Sequence, residues 1–148
     1  MSRLLIPIRI LLAIALAVVV WASLSQNASI PGPQNSDKIA HFIAYFGVAF
    51  LGLAGFRTPR NEILFIVFCF ILGASMEYAQ SFVPGRMMSW ADMIANSLGI
   101  VGAVLVYLPL RSWIDKKLGR GEESVEEEQA GQSEDSVTES VSAVEKKL

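Results

Sequence analysis

Four stretches of the chain are almost wholly apolar, at residues 4–24, 38–56, 62–82 and 92–110, and short polar or Gly/Pro-containing segments separate them. An α-helix needs about 20 mainly apolar residues to cross the hydrocarbon core of a bilayer, and each stretch is near that length. The pattern predicts an all-α membrane protein, a bundle of four transmembrane helices. In the first stretch Arg3 and Arg9 stand near the start and can snorkel to headgroups, and Trp21 suits an interface anchor. The rival reading is a cleaved leader, but Ala22-Ser23 after the bulky Trp21 matches a signal cleavage site poorly. The segment 25–36 carries Pro31-Gly32-Pro33 and reads as a loop. Its Asn27-Ala28-Ser29 is only a weak glycosylation match.

The second stretch opens with Ser36 as an N-cap and Asp37 in the first turn, and ends near Gly55 before the basic turn 57–60. The third is free of charge from 63 to 74 and turns polar only at Glu77 and Gln80. The fourth is expected to stop with the help of Pro109. Beyond it, 121–148 is Glu, Ser, Val and Gln with no apolar period, which predicts a disordered acidic C-terminal tail. The chain therefore reads as a membrane domain, 1–120, and a tail, 121–148.

Composition sharpens this picture in one respect. The formal net charge is −2, yet nine of the fourteen acids lie after Gly121, so the membrane part is basic. Arg3, Arg9, Arg57, Arg60, Arg111, Lys116, Lys117 and Arg120 all fall on one side of a four-span arrangement, and only Lys38 and Arg86 on the other. Short cytoplasmic loops are rich in Lys and Arg, so both termini are expected in the cytoplasm, with 25–36 and 83–91 facing outward. The basic residues are scattered over span ends, which is no nucleic-acid footprint. The single cysteine, Cys69, lies mid-span and reads as a small apolar residue. There is no Gly-x-Ser-x-Gly elbow, His-Glu-x-x-His, Walker loop or dinucleotide glycine pattern. No inverted repeat is visible, so a transporter of this size would have to oligomerise.

The polar residues inside the apolar runs carry the candidate chemistry. Asp37, His41 and Tyr45 are spaced i, i+4, i+8, Glu77 and Gln80 i, i+3, and Asp92 and Asn96 i, i+4. Each set keeps to one helix face. All three sets lie at the outer ends of their helices, with Lys38 and Arg86 beside them. Such groups are costly against lipid, so they are expected to converge inside the bundle. Several have plainer readings. Ser89-x-x-Asp92 has the form of a capping box, and Asp37 suits a helix N-terminus. Ala95, Gly99 and Ala103 form the small-residue stripe of close helix packing.

Two motifs resemble those of the VanZ-like membrane proteins. The first is Ser-Asp-Lys-x-x-His-Phe-x-x-Tyr at 36–45. The second is Glu-x-x-Gln-x-Phe-x-Pro-Gly-Arg-x-x-Ser-x-x-Asp-x-x-x-Asn-x-x-Gly at 77–99. The resemblance covers 37–102 and implies a small multi-pass protein of the bacterial inner membrane and cell envelope. The family is named for a protein linked to glycopeptide antibiotic resistance, specifically to teicoplanin. The acidic tail lies outside the family pattern.

Three readings of the cluster follow. In the first, it binds or modifies the headgroup of an envelope lipid or cell-wall precursor, or takes a glycopeptide-related ligand. His41, Glu77 and Asp92 are then the catalytic candidates, with His41 moving the proton. Asp37, Lys38, Tyr45, Gln80, Arg86, Ser89 and Asn96 are the substrate-binding candidates, and two helix N-termini add anion affinity. In the second, His41, Glu77 and Asp92 hold a divalent metal, a weak signal because no local motif joins them. In the third, the protein is not an enzyme, and the cluster fixes helix packing or binds a partner. The sequence leaves the enzyme question, the cofactor and the oligomeric state open.

Overall fold

The computed structural model describes residues 4–25, 36–56 and 58–118. Four α-helices run through them: α1 Leu5–Leu24, α2 Ser36–Gly55, α3 Pro59–Gln80 and α4 Trp90–Lys117. No strand occurs among the described residues. All four helices are long and apolar enough to cross a membrane. Twenty helical residues span about 30 Å, the thickness of the hydrocarbon core. The chain is a multi-pass membrane protein. The tail 121–148 and most of the loop 25–36 lie outside the described residues, as does Arg57.

Local signals explain where the helices begin. The Thr58 side chain accepts the Asn61 N–H at 3.3 Å, and Pro59 takes the first helical position, so α3 starts three residues before its apolar run. Helix α2 begins at Ser36, with Asp37 in its first turn. Ser89 caps α4: its Oγ accepts the Asp92 N–H at 3.3 Å. Between α3 and α4 the Arg86 N–H donates to the Val83 carbonyl at 3.0 Å, and Gly85 has φ +82°. Pro at the second position and a left-handed glycine at the third form a type II turn, and that φ is open to glycine at little cost.

Pro109 does not stop α4, which continues to Lys117. Proline removes one backbone donor and crowds one carbonyl, but its own φ is helical, so a helix can run through it near its end. The described residues fall into two units, divided between Arg111 and Ser112. In the second, the described residues 112–118 are the close of α4 and Leu118, with the Lys117 ammonium 5.9 Å from the Trp113 ring.

In the first unit α1 packs on α2 and α3, and α2 on α3. The shared core joins Leu12 and Val19 of α1 to Tyr45, Val48 and Ala49 of α2, Phe65 and Cys69 of α3, and Ile100 and Ala103 of α4. Helix α1 is thus a full member of the bundle. Large apolar residues such as Ile10, Ile14, Ile63, Ile71 and Leu105 stay exposed, the surface a bilayer would cover.

Helix α4 meets α2 where a side chain is missing. A Cβ on Gly99 would collide with the Phe42 carbonyl oxygen and crowd the Phe46 nitrogen. The small-residue stripe is therefore a backbone-to-backbone contact, the packing that holds helices together where lipid supplies no hydrophobic drive. Arg9 closes the opposite end: its Nε donates to the Gly55 carbonyl at 3.2 Å, at the end of α2. A cation there offsets the negative pole of the helix.

Candidate functional site

The polar faces of α2, α3 and α4 meet at the end of the bundle where α2 and α4 begin and α3 ends. Glu77, one turn from the end of α3, is completely buried. Its Oε1 accepts the Asn96 Nδ2 at 3.5 Å and lies 3.7 Å from the His41 Nδ1. Its Oε2 accepts the Ser89 backbone N–H at 3.4 Å. One carboxylate thus ties α3 to α2, to α4 and to the cap that begins α4. A buried charge requires such partners.

The Ser89–Asp92 capping box is half made. Ser89 serves Asp92, but the return bond to the Ser89 N–H comes from Glu77 and not from Asp92. The Asp92 carboxylate is consequently free of capping work. It is buried, and no hydrogen bond from the protein reaches its Oδ1. The Lys38 Nζ stands 3.6 Å from that oxygen and 3.1 Å from Asp37 Oδ2. Asp37 itself is exposed, the outer partner of Lys38.

Asn96 sets the form of His41. It turns Nδ2 toward Glu77, which leaves Oδ1 facing the His41 Nδ1 at 3.0 Å. An amide oxygen only accepts, so Nδ1 carries the proton and the lone pair of the neutral ring is on Nε2. A ring nitrogen of His41 and one oxygen each from Glu77 and Asp92 lie within 4.8 Å of one another. Two carboxylates this close repel each other, so the arrangement favours any cation that enters it.

Two more sequence candidates are buried without a partner. The Tyr45 hydroxyl and the Gln80 Nε2 make no hydrogen bond within the protein. Tyr45 and Asn96 fit beside each other because Gly73, one turn before Glu77, has no side chain: a Cβ there would lie 3.3 Å from the Tyr45 ring and 3.5 Å from the Asn96 Cβ.

Arg86 points elsewhere. Its Nη1 donates to the Ser23 carbonyl at 2.7 Å and the Ala22 carbonyl at 3.0 Å, so it caps the end of α1. Sequence reasoning passed over two things. Gly73 carries a weak signal, a small residue on the polar face of α3. At the other end of the bundle Glu62 is buried, accepting the Tyr107 hydroxyl at 3.3 Å and facing the Arg111 Nη2 at 3.3 Å. The i, i+4 spacing of Tyr107 and Arg111 was the available hint.

Lone pairs and donors thus converge from three helices in a buried site, a histidine poised to accept a proton among two carboxylates. Such a site can bind a polar or charged group and can move a proton. No curated protein and no solved structure matches the chain. A family model, VanZ/LLP1, matches residues 4–112 and so takes in α1 to α3, α4 as far as Ser112, and every residue of the cluster. The chain belongs to the VanZ/LLP1 family.

Proposed function

We propose that this VanZ-family membrane protein binds the polar headgroup of an envelope lipid or lipid-linked cell-wall precursor in the cluster at the start of α2 and α4. That end faces outward from a bacterial inner membrane, with both termini cytoplasmic, a placement supported by the Lys and Arg asymmetry of the span ends. One observation carries the reading: the Tyr45 hydroxyl and the Gln80 Nε2 are buried without a hydrogen bond, and the buried Asp92 Oδ1 has only the Lys38 ammonium, at 3.6 Å. A cluster serving only to join helices would pair its polar atoms with each other, because each one left unmet costs about 1–3 kcal/mol. Two donors and one acceptor are what a hydroxyl- or phosphate-bearing headgroup would meet.

In this reading His41 takes or gives the proton, with Glu77 and Asp92 as its acid/base partners. Tyr45, Gln80 and Asn96 position the headgroup, and Lys38 adds positive charge at the rim. Arg86 acts through α1, and Ser89 and Asp37 through the helix starts.

The test is lipid retention. The full chain, purified in mild detergent, is analysed by native mass spectrometry with its bound lipids. Wild type should retain a defined headgroup class, and Gln80→Leu and Tyr45→Phe should lose it by tenfold or more at unchanged abundance. Retention that follows acyl composition alone, or that the two variants leave unchanged, overturns the reading. A link to glycopeptide resistance is read separately, as a change in teicoplanin susceptibility when the protein is removed from its host.

The packing reading has one observation in its favour, the bonds of Glu77 to Ser89 and Asn96. It requires Gln80→Leu and Tyr45→Phe to leave lipid retention unchanged.

A further inference from the structure

We propose that His41, Glu77 and Asp92 form a binding site for a divalent first-row cation, zinc before the others. The donors are one imidazole nitrogen and two carboxylate oxygens, all within 4.8 Å of one another, and they come from three different helices. Ligand bonds of about 2.0–2.2 Å place donors about 3.4 Å apart in a tetrahedral zinc site. With Nδ1 bonded to Asn96, Nε2 is the His41 nitrogen left to ligate. Three protein ligands leave the fourth position open, as in zinc sites that accept an exogenous ligand.

Four further observations point the same way. The Asp92 Oδ1 is buried with no hydrogen bond from the protein, and only the Lys38 ammonium, at 3.6 Å, faces it. The half-made capping box explains why: Glu77 supplies the bond that Asp92 would otherwise make. Asn96 then holds both neighbours in ligating form, donating to Glu77 and accepting from His41. Hydrogen bonds of this kind orient ligands and fix the histidine tautomer in metal sites.

The fourth is charge. The other buried carboxylate among the described residues, Glu62, is neutralised by the Arg111 guanidinium at 3.3 Å and bonded by the Tyr107 hydroxyl. At the three-helix cluster two carboxylates face a single lysine, 3.6 Å from Asp92 and shared with Asp37. The arginine nearest in sequence, Arg86, turns its Nη1 to the α1 carbonyls. A divalent cation would balance the pair. Mixed nitrogen and oxygen donors suit zinc, with manganese next.

A bound cation would take the lone pairs that the headgroup reading gives to proton transfer and leave Tyr45 and Gln80 to the headgroup, so it is tested by itself, without added lipid. The full chain is stripped with chelator, dialysed against zinc and assayed for bound metal by mass spectrometry, beside Glu77→Gln, Asp92→Asn and Glu62→Gln. The acidic tail is present in all four and contributes the same background. Wild type and Glu62→Gln should bind about one zinc per chain above that background. Glu77→Gln and Asp92→Asn should weaken it at least tenfold, with unchanged helicity by circular dichroism. Wild type that binds no saturable zinc, or variants that bind as wild type does, overturns the proposal. Should the two site variants fail to fold, cobalt-loaded wild type decides. Visible d–d absorption of tetrahedral intensity supports the site, and its absence overturns it.

Discussion

Glu77 and Asp92 sit in one cluster but differ in what the fold asks of them. Glu77 is the sole acceptor shown for two groups, the Asn96 amide and the Ser89 N–H. Glu77→Ala leaves both unmet in the interior, at about 1–3 kcal/mol each, and should lower the amount of folded protein in the membrane. Glu77→Gln keeps one accepting oxygen, enough for one of the two donors, and should restore part of that abundance while the site's ligand is still lost. Quantitative blotting of membrane fractions distinguishes the two. Asp92→Asn should be mild for stability, because Ser89 caps α4 through its own side chain. Arg86 gives the contrasting case. Arg86→Ala removes charged hydrogen bonds to Ala22 and Ser23, worth about 1.5–3 kcal/mol. Faster backbone hydrogen exchange in the last turn of α1 is the expected signature, while exchange at the start of α4 stays close to wild type.

At the scale of the element, the decisive contact is the one between α2 and α4. Gly99→Ala places a Cβ against the Phe42 carbonyl oxygen, which cannot move without moving α2. The helices must separate, and His41 then draws away from Asn96. Gly99→Ala should lower the melting temperature of the purified protein and abolish ligand retention together. Gly47→Ala is the matched control: a Cβ there meets nothing within 4 Å, and alanine is the better helix former by about 0.8–1 kcal/mol. It should be neutral or slightly stabilising in the same melt. A result in which both glycines behave alike would mean that close backbone approach does not hold α2 against α4.

Across the whole molecule, the two ends of the bundle are built differently. One end holds Glu62 in a closed set of contacts with Tyr107 and Arg111. The other end gathers His41, Glu77 and Asp92 with unpartnered atoms beside them. The proposed orientation puts the unsatisfied end outside and the satisfied end in the cytoplasm. A cysteine at position 87, whose native methionine is strongly exposed, should react with a membrane-impermeant maleimide in intact cells. A cysteine at position 60 should react only after the membrane is opened. The reverse pattern would place the cluster on the cytoplasmic side and remove the outward-facing site.

The linear chain determined a good deal by itself. Apolar runs of bilayer length permit only helices there, since every backbone polar group in lipid must be met within its own segment, so four helices were legible from hydropathy alone. The periods linking His41 to Tyr45, Glu77 to Gln80, and Asp92 to Asn96 likewise follow from the 3.6-residue turn and name the polar face of each helix. What periodicity cannot state is which group meets which, because it describes one helix at a time. Only the assembled bundle decided that Arg86 serves the end of α1, and that Glu77 completes the cap of α4 and releases Asp92. The same holds for α4 running through Pro109 and for Gly73 making room for Tyr45 and Asn96. Each of these depends on distances between segments far apart in the chain, which packing alone sets.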